Sequence, residues 1–418
     1  MIRPDQIHNV MKSYTIGDGE HIVVDLELSR GTSLVDARTK KRYLDCSSQY
    51  ASLPLGWNHE DLEVHAEDMG FYAMNKVANP DFYSEPLADF VKCFGEMAPR
   101  FKHFFFVEGG SLAVENALKA AFDWKARKLG LSEEEAGKLD VIHLEQSFHG
   151  RSGYTLSITN TVPNKTALFP KFQWTRIKNP KIHFPLVDCE VAKDEEASLR
   201  QAEEALKSNR VAAIILEPIQ GEGGDNHFTP RYFSALRELA DKYEAMLILD
   251  EVQTGVGLTG KMWAYEHFGI IPDMISFGKK TQVCGFASTT RIDEVPDNVF
   301  RLSSRINSTW GGNLIDMIRF THIAEIIQKD RLVEQAAVVG DYFLKRLREV
   351  PRITNVRGRG LMLAFDLETH DSRNEALHRM QQEMTILGCG ERSIRIRPSL
   401  IFTMADADEA ISHIRKAI

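Results

Sequence analysis

Two residues of the 418-residue chain could share one piece of chemistry. Asp250 stands in Leu247-Ile-Leu-Asp-Glu-Val-Gln-Thr-Gly255, and Lys279 stands in Ser276-Phe-Gly-Lys-Lys280, 29 positions later (279 − 250). Each falls just past a short apolar run that reads as a buried strand. Ligands of open α/β sheets bind at the carboxyl ends of the strands. A lysine there is costly unless it is paired or covalently bonded. A bond to a carbonyl compound removes that cost and makes the amine a nucleophile with a purpose. A carboxylate at the neighbouring strand end can pair with a buried cation. Taken singly, the bland readings compete: an aspartate capping the next turn, and a surface Lys-Lys pair.

The elements that must hold these residues follow from the pattern. Apolar runs at His103–Val107, 141–145, 211–217, Met246–Asp250, Met274–Phe277 and 286–290 alternate with helical stretches at 112–129, 230–243 and 261–268. That alternation predicts an α/β domain around a mostly parallel, buried sheet. Residues 21–44 alternate apolar and polar and read as a hairpin or small sheet. The chain is strongly helical from Gly312 to about Val350, then mixed, with apolar runs at 361–367 and 394–396 and a last helix from about Asp406. We therefore expect an N-terminal segment, 1–55, contributing to a small α+β domain formed by 313–418, and a large domain over 56–312. There is no internal repeat and no long flexible linker.

Other residue types suit a site that holds anions. Glu108-Gly-Gly-Ser-Leu-Ala113 lies between a strand and a helix. The N–H groups of Gly110 and Ser111, with the Ser111 hydroxyl, could meet a phosphate at the helix N-terminus, although most such loops are simple turns. Phe148 and Val252 could wall a flat ring, but as isolated residues both are more often core. Arg151 and Arg395 could grip carboxylates as bidentate forks, against the usual fate of a surface salt bridge. Arg397 competes for the Arg395 role. His149, beside Phe148, is read as lining the site; no His/Asp/Glu cluster suggests a metal.

The Asp250-Glu-Val-Gln-Thr-Gly…Thr259-Gly260…Pro272-Asp273…Lys279 series resembles the class III (ω) aminotransferases, enzymes of fold type I that depend on pyridoxal 5′-phosphate. Glu217-Pro-Ile-Gln-Gly-Glu-Gly223 and Phe148-His-Gly150 resemble two further motifs of that family, in the same order along the chain. The resemblance implies that Asp250 binds the pyridine nitrogen of the cofactor, that Lys279 bonds its aldehyde, that Phe148 stacks on the ring and that Gln253 lies near the 3′-hydroxyl. It implies a homodimer with shared active sites, because Thr309 resembles the residue that reaches the phosphate from the partner subunit. It also implies that Glu222 neutralises Arg395 while an ω-amine is bound, and that Arg151 serves the distal carboxylate.

Two positions depart from the family pattern. Leu258 replaces the usual Arg before Thr-Gly, and Lys280-Thr-Gln-Val-Cys-Gly285 replaces the usual Leu and Gly pair. That stretch, with Asn307-Ser-Thr-Trp-Gly-Gly312, is similar to the branch acting on the terminal amine of L-lysine, and places Asn307 on the substrate side. The implied substrates are L-lysine, 2-oxoglutarate and L-glutamate. Ornithine, acetylornithine and 4-aminobutyrate enzymes are the alternatives within the family, and a mutase on the same fold is another.

Composition bounds the rest. The chain is 43% hydrophobic and 26% charged, an ordinary globular balance. A net charge of −8 argues against a general nucleic-acid binder. No apolar stretch is long enough to span a bilayer, and the start has no secretory apolar core. Five scattered cysteines without metal-ligand spacing point to reduced thiols in the cytoplasm.

Overall fold

The run Val211–Leu216 is apolar at every position, so a strand made from it must be buried on both faces. The computed structural model, which describes residues 2–418, places it so. Ile214 and Leu216 join one core and Ala213 and Ile215 the other. The strand sits within a seven-stranded sheet ordered His103–Val107, Cys284–Ser288, Met274–Phe277, Met246–Asp250, Val211–Leu216, Asp140–Leu144, Arg176–Ile177. The last five pair in parallel. Cys284–Ser288 runs antiparallel to both of its neighbours, so the sheet is mostly parallel, as its pattern implies.

Helices cover both faces. Gly110–Leu129 buries Val114, Ala117, Leu118, Ala121 and Trp124, a helical stripe, against one core. Pro230–Lys242 buries Tyr232, Phe233, Leu236 and Ala240 against the other. The N-terminal hairpin, Ser33–Val35 with Arg42–Asp45, is completed by a parallel strand from far along the chain, Met384–Thr385. A four-stranded antiparallel sheet follows the order Thr354–Arg359, Met362–Asp366, Ser393–Ile396, Leu387–Cys389.

Two expectations differ from the structure. Residues 261–268 form only a short 3-10 turn, Ala264–His267, because the buried Glu251 carboxylate captures the N–H groups of Ala264 (3.0 Å) and Tyr265 (2.8 Å). The strand read at 286–290 is shifted to Cys284–Ser288. A further helix, Asp188–Leu206, is one that the apolar pattern does not announce, since its buried positions include the polar Glu195 and Ser198.

The C-terminal part presses against the site loop backbone to backbone. Leu361 N–H donates to Leu258 O at 2.9 Å. A Cβ on Gly360 would lie 2.5 Å from the Thr259 carbonyl carbon, and one on Gly340, in the helix Leu332–Arg348, would lie 2.0 Å from Gly360 O. Gly340→Ala must therefore move backbone and should cost about 1–3 kcal/mol. Gly95→Ala, at a helical position with nothing within 4 Å, should be neutral or stabilising. Thermal midpoints of the two variants check the contrast.

Candidate active site

Asp250 ends one strand and pairs in register with Ser276 on the next, so Lys279 emerges three residues further on at the same sheet edge. Two cavities meet there. One, of about 580 Å³, is lined by Asp250, His149, Glu217, Val252, Gly110 and Ser111 among others. The second, of about 430 Å³, is lined by Arg395, Glu222, Lys165, Arg397 and Tyr50 among others. Phe148, Arg151, Gln253 and Lys279 line both. Lys279 adopts φ +55, the left-handed region that costs a side-chain-bearing residue energy. Burial lowers its amine below the ordinary value, against the opposing pull of Asp250. Lys280 lines neither cavity. It is fully buried and donates to Gln253 O at 3.0 Å.

In the first cavity His149 Nδ1 lies 2.7 Å from Asp250 Oδ2, and both side chains are buried. Val252 N–H donates to the other Asp250 oxygen at 3.1 Å. Burial pushes the Glu217 carboxyl up to about 7, with His149 opposing and Asp250 adding to the rise. Glu217 accepts from Phe148 N (3.0 Å) and Gly221 N (2.9 Å), fixing the aromatic residue to the next loop. Gly110 stands at the start of its helix, where a Cβ would lie 2.9 Å from Val252. The Ser111 hydroxyl shares hydrogen bonds of 2.8 Å with both Ser152 and Thr155, and Gly150 passes so close that a Cβ would strike it. Helix-terminal N–H groups and the carboxylate of Asp250 thus face one chamber from different elements. Thr309 and Asn307 are exposed and line neither cavity of their own chain. Their loop is held in place by Trp310 under Lys76, whose Nζ is 3.9 Å from the ring centroid and also pairs with Glu108 at 3.2 Å.

In the second cavity the Arg395 guanidinium is buried and meets Glu222 Oε2 at 3.1 Å through Nη2. Among the described residues its Nε and Nη1 have no hydrogen-bond partner. The other Glu222 oxygen pairs with Lys165. Burial works to raise the Glu222 carboxyl, but Arg395 and Lys165 together hold it below the usual carboxylate range. Arg397, the competitor for the Arg395 role, is committed elsewhere: it pairs with the buried Asp225 and donates to Gln253 Oε1. Arg357 donates to the carbonyls of Gly224 and Asp225, to Asp366 and to Ser393, closing the same loop onto the C-terminal sheet.

Lys165, Asp225, Arg357 and Glu217 join the site without being marked as site residues by the sequence pattern. Glu217 and Asp225 lie within or beside a quoted motif, and their neighbours were the signal. Lys165 and Arg357 sit in stretches without one. Because Asp225 and Arg397 are only 1% and 3% exposed, removing one partner strands a buried charge. Asp225→Ala should lower stability by about 3–5 kcal/mol and loosen the Gln253 and Glu222 loops. Chemical denaturation of the purified variant measures the loss.

The profile of the aminotransferase class-III family matches residues 15–418. The chain is 46% identical to the L-lysine-epsilon aminotransferase of Streptomyces clavuligerus, over 100% of this chain and 95% of that protein. Its identity to the L-lysine-epsilon aminotransferase of Mycobacterium tuberculosis is 48%, over 99% of this chain and 96% of that protein. The solved structure of lysine aminotransferase from M. tuberculosis aligns at a TM-score of 0.96 and 46% identity, covering 100% of this chain and 99% of that one. The first cavity has what pyridoxal 5′-phosphate requires: a carboxylate for its ring nitrogen, an aromatic face, N–H groups at a helix start and a neighbouring lysine. The chain belongs to the class III aminotransferases, whose cofactor is pyridoxal 5′-phosphate.

Proposed function

We propose that this protein moves the ε-amino group of L-lysine to 2-oxoglutarate, giving 2-aminoadipate 6-semialdehyde and L-glutamate in two half-reactions. The observation that carries the reading is the Arg395–Glu222 ion pair in the cavity beside Lys279, in a chain nearly half identical to L-lysine-epsilon aminotransferases. A site that accepts both substrates must admit an apolar stem beside the cofactor in one half-reaction and an α-carboxylate in the other. A paired arginine suits the stem, and a released one suits the carboxylate.

Asp250, held by His149, would bind the ring nitrogen, and Phe148 and Val252 would flank the ring. Gln253 would stand near the 3′-hydroxyl. Gly110 and Ser111 would hold the phosphate, completed by the partner subunit's Thr309, which makes the active form a homodimer. Pyridoxal phosphate, when bound, supplies the electron sink for the carbanion formed at the substrate carbon. Lys279 Nζ would act as the base that takes the proton from the amine-bearing carbon. Burial lowers the basicity of this amine, in the direction that favours its neutral form. Arg151 would grip the distal carboxylate of either substrate, and Asn307 belongs to the substrate side. The five unpaired thiols suit the reducing cytoplasm.

An amine-donor panel with 2-oxoglutarate tests the reading: L-lysine should be the preferred donor, with nitrogen lost from the ε position. Loss from the α position, or preference for ornithine or 4-aminobutyrate, would sink it. Borohydride reduction of the holoenzyme should fix the cofactor to Lys279, and Lys279→Ala should abolish turnover; label on Lys280 would place the chemistry on the wrong residue. Glu222→Ala should impair the lysine half-reaction about tenfold or more relative to the glutamate half-reaction, because it leaves Arg395 uncovered. Single-turnover kinetics with each donor read the difference.

A further inference from the structure

Glu222 is bound by two cations, one on each oxygen. Arg395 Nη2 meets Oε2 at 3.1 Å, and Lys165 Nζ meets Oε1. The two contacts are geometrically separate, so one can open while the other persists. The main chain of Glu222 is fixed: its carbonyl accepts from Gly390 N at 2.9 Å, and Gly221 N is held by Glu217 at 2.9 Å. Lys165 is also restrained. It closes the 3-10 turn Pro163–Lys165, lines the cavity, and lies 5.6 Å from the centroid of the Phe148 ring. The Lys165 and Glu222 side chains are only 21% and 25% exposed, so their charges are not left to bulk water.

We propose that Lys165 is a positioning residue that keeps the Glu222 carboxylate paired when Arg395 turns to an α-carboxylate, and so sets the balance between the two half-reactions. The proposal rests on the function proposed above.

Loss of Lys165 acts differently on the two states. With Arg395 closed on Glu222, loss of Lys165 still leaves the carboxylate one partner. With Arg395 engaged by glutamate or 2-oxoglutarate, loss of Lys165 leaves the carboxylate none. Removing Lys165 therefore raises the open state more than the closed one, and a ligand shifts such an equilibrium only by its differential affinity. Binding of dicarboxylates must then bear the cost, while the lysine half-reaction, which uses the closed state, is spared most of it. Arginine at this position keeps the charge and the reach, so it restores the effect.

The test combines kinetics and binding on the holoenzyme. Lys165→Met should shift the ratio of single-turnover kcat/KM values about tenfold toward L-lysine, the size of one charge-assisted contact. The change should lie in KM for glutamate and 2-oxoglutarate rather than in kcat. Calorimetric titration with glutarate, a dicarboxylate that cannot react, should give a Kd raised by about tenfold. Lys165→Arg should recover most of both losses. In a Glu222→Ala background, Lys165→Met should change glutarate binding less than about twofold, because Lys165 acts through Glu222. Equal losses in both half-reactions overturn the proposal. So does an undiminished effect in the Glu222→Ala background, which would mean that Lys165 attracts the ligand directly. A wild-type enzyme that takes no ε-amine from L-lysine overturns the proposed function instead, and the glutarate titrations then still decide whether Lys165 holds Glu222.

Discussion

The buried ion pair between Asp225 and Arg397 ties the motif loop Glu217–Asp225 to the C-terminal sheet. A charge with almost no contact with water must keep its partner, since a lone one costs several kcal/mol. Asp225 therefore fixes where Arg397 lies, and Arg397 in turn orients Gln253. Arg357 fastens the same loop through the Gly224 and Asp225 carbonyls. Three residues before Asp225 stands Glu222, and two residues before Arg397 stands Arg395, so the second ion pair follows from the first. The active-site electrostatics are set by this seam between the two parts of the chain.

Against that background Lys279 is conspicuous. The buried lysines Lys125 and Lys280 both have hydrogen-bond partners. Lys125, lowered to about 8 by burial, donates to Asn209 Oδ1 and to the carbonyls of Tyr243 and Glu244. Lys280 has the Gln253 carbonyl, although burial still pushes its amine well down. Among the described residues Lys279 Nζ has no hydrogen bond and no ion pair, and its backbone is strained. An unpartnered, strained amine at the junction of two cavities is the kind of group that perturbed functional sites hold, and it is the one the proposed function uses.

Much of this was legible in the sequence, for a physical reason. Parallel strands buried on both faces are written as continuous apolar runs, and such runs alone mark Asp250 and Lys279 as strand-end residues. Glu222 sits in a motif whose resemblance implies that it neutralises Arg395, and the two are paired. What escaped was of another kind. Lys165 is a lysine in a Pro-Asn-Lys turn, which by composition reads as surface, and only the chain's return brings it to Glu222. Arg357 lies on a strand whose burial is set by partners from another part of the chain. The helix Asp188–Leu206 buries Glu195 because Thr229 and Arg231 satisfy it, a polar bond that interrupts the apolar stripe. Residues 261–268 lost their helix to the carboxylate of Glu251. Side-chain partners distant in sequence decided each case.

The cavity's own charge completes the picture. Arg397 is offset by Asp225, so, leaving aside Lys279, the charged side chains lining the second cavity are Arg151, Lys165 and Arg395 against Glu222, a formal +2 (three positive, one negative) within a chain of net −8. Overall charge therefore says little about this site, because screening confines each field to about 8–10 Å. A local +2 matches a dicarboxylate, whose two anionic ends need two grips. A lysine head group offers one carboxylate and its own ammonium, and needs only one. The surplus cation must then be covered by the protein itself, and the Glu222 carboxylate, bound on both oxygens, is the group placed to cover it. One carboxylate between two cations lets a single cavity present either two free guanidinium groups, Arg151 and Arg395, or Arg151 alone.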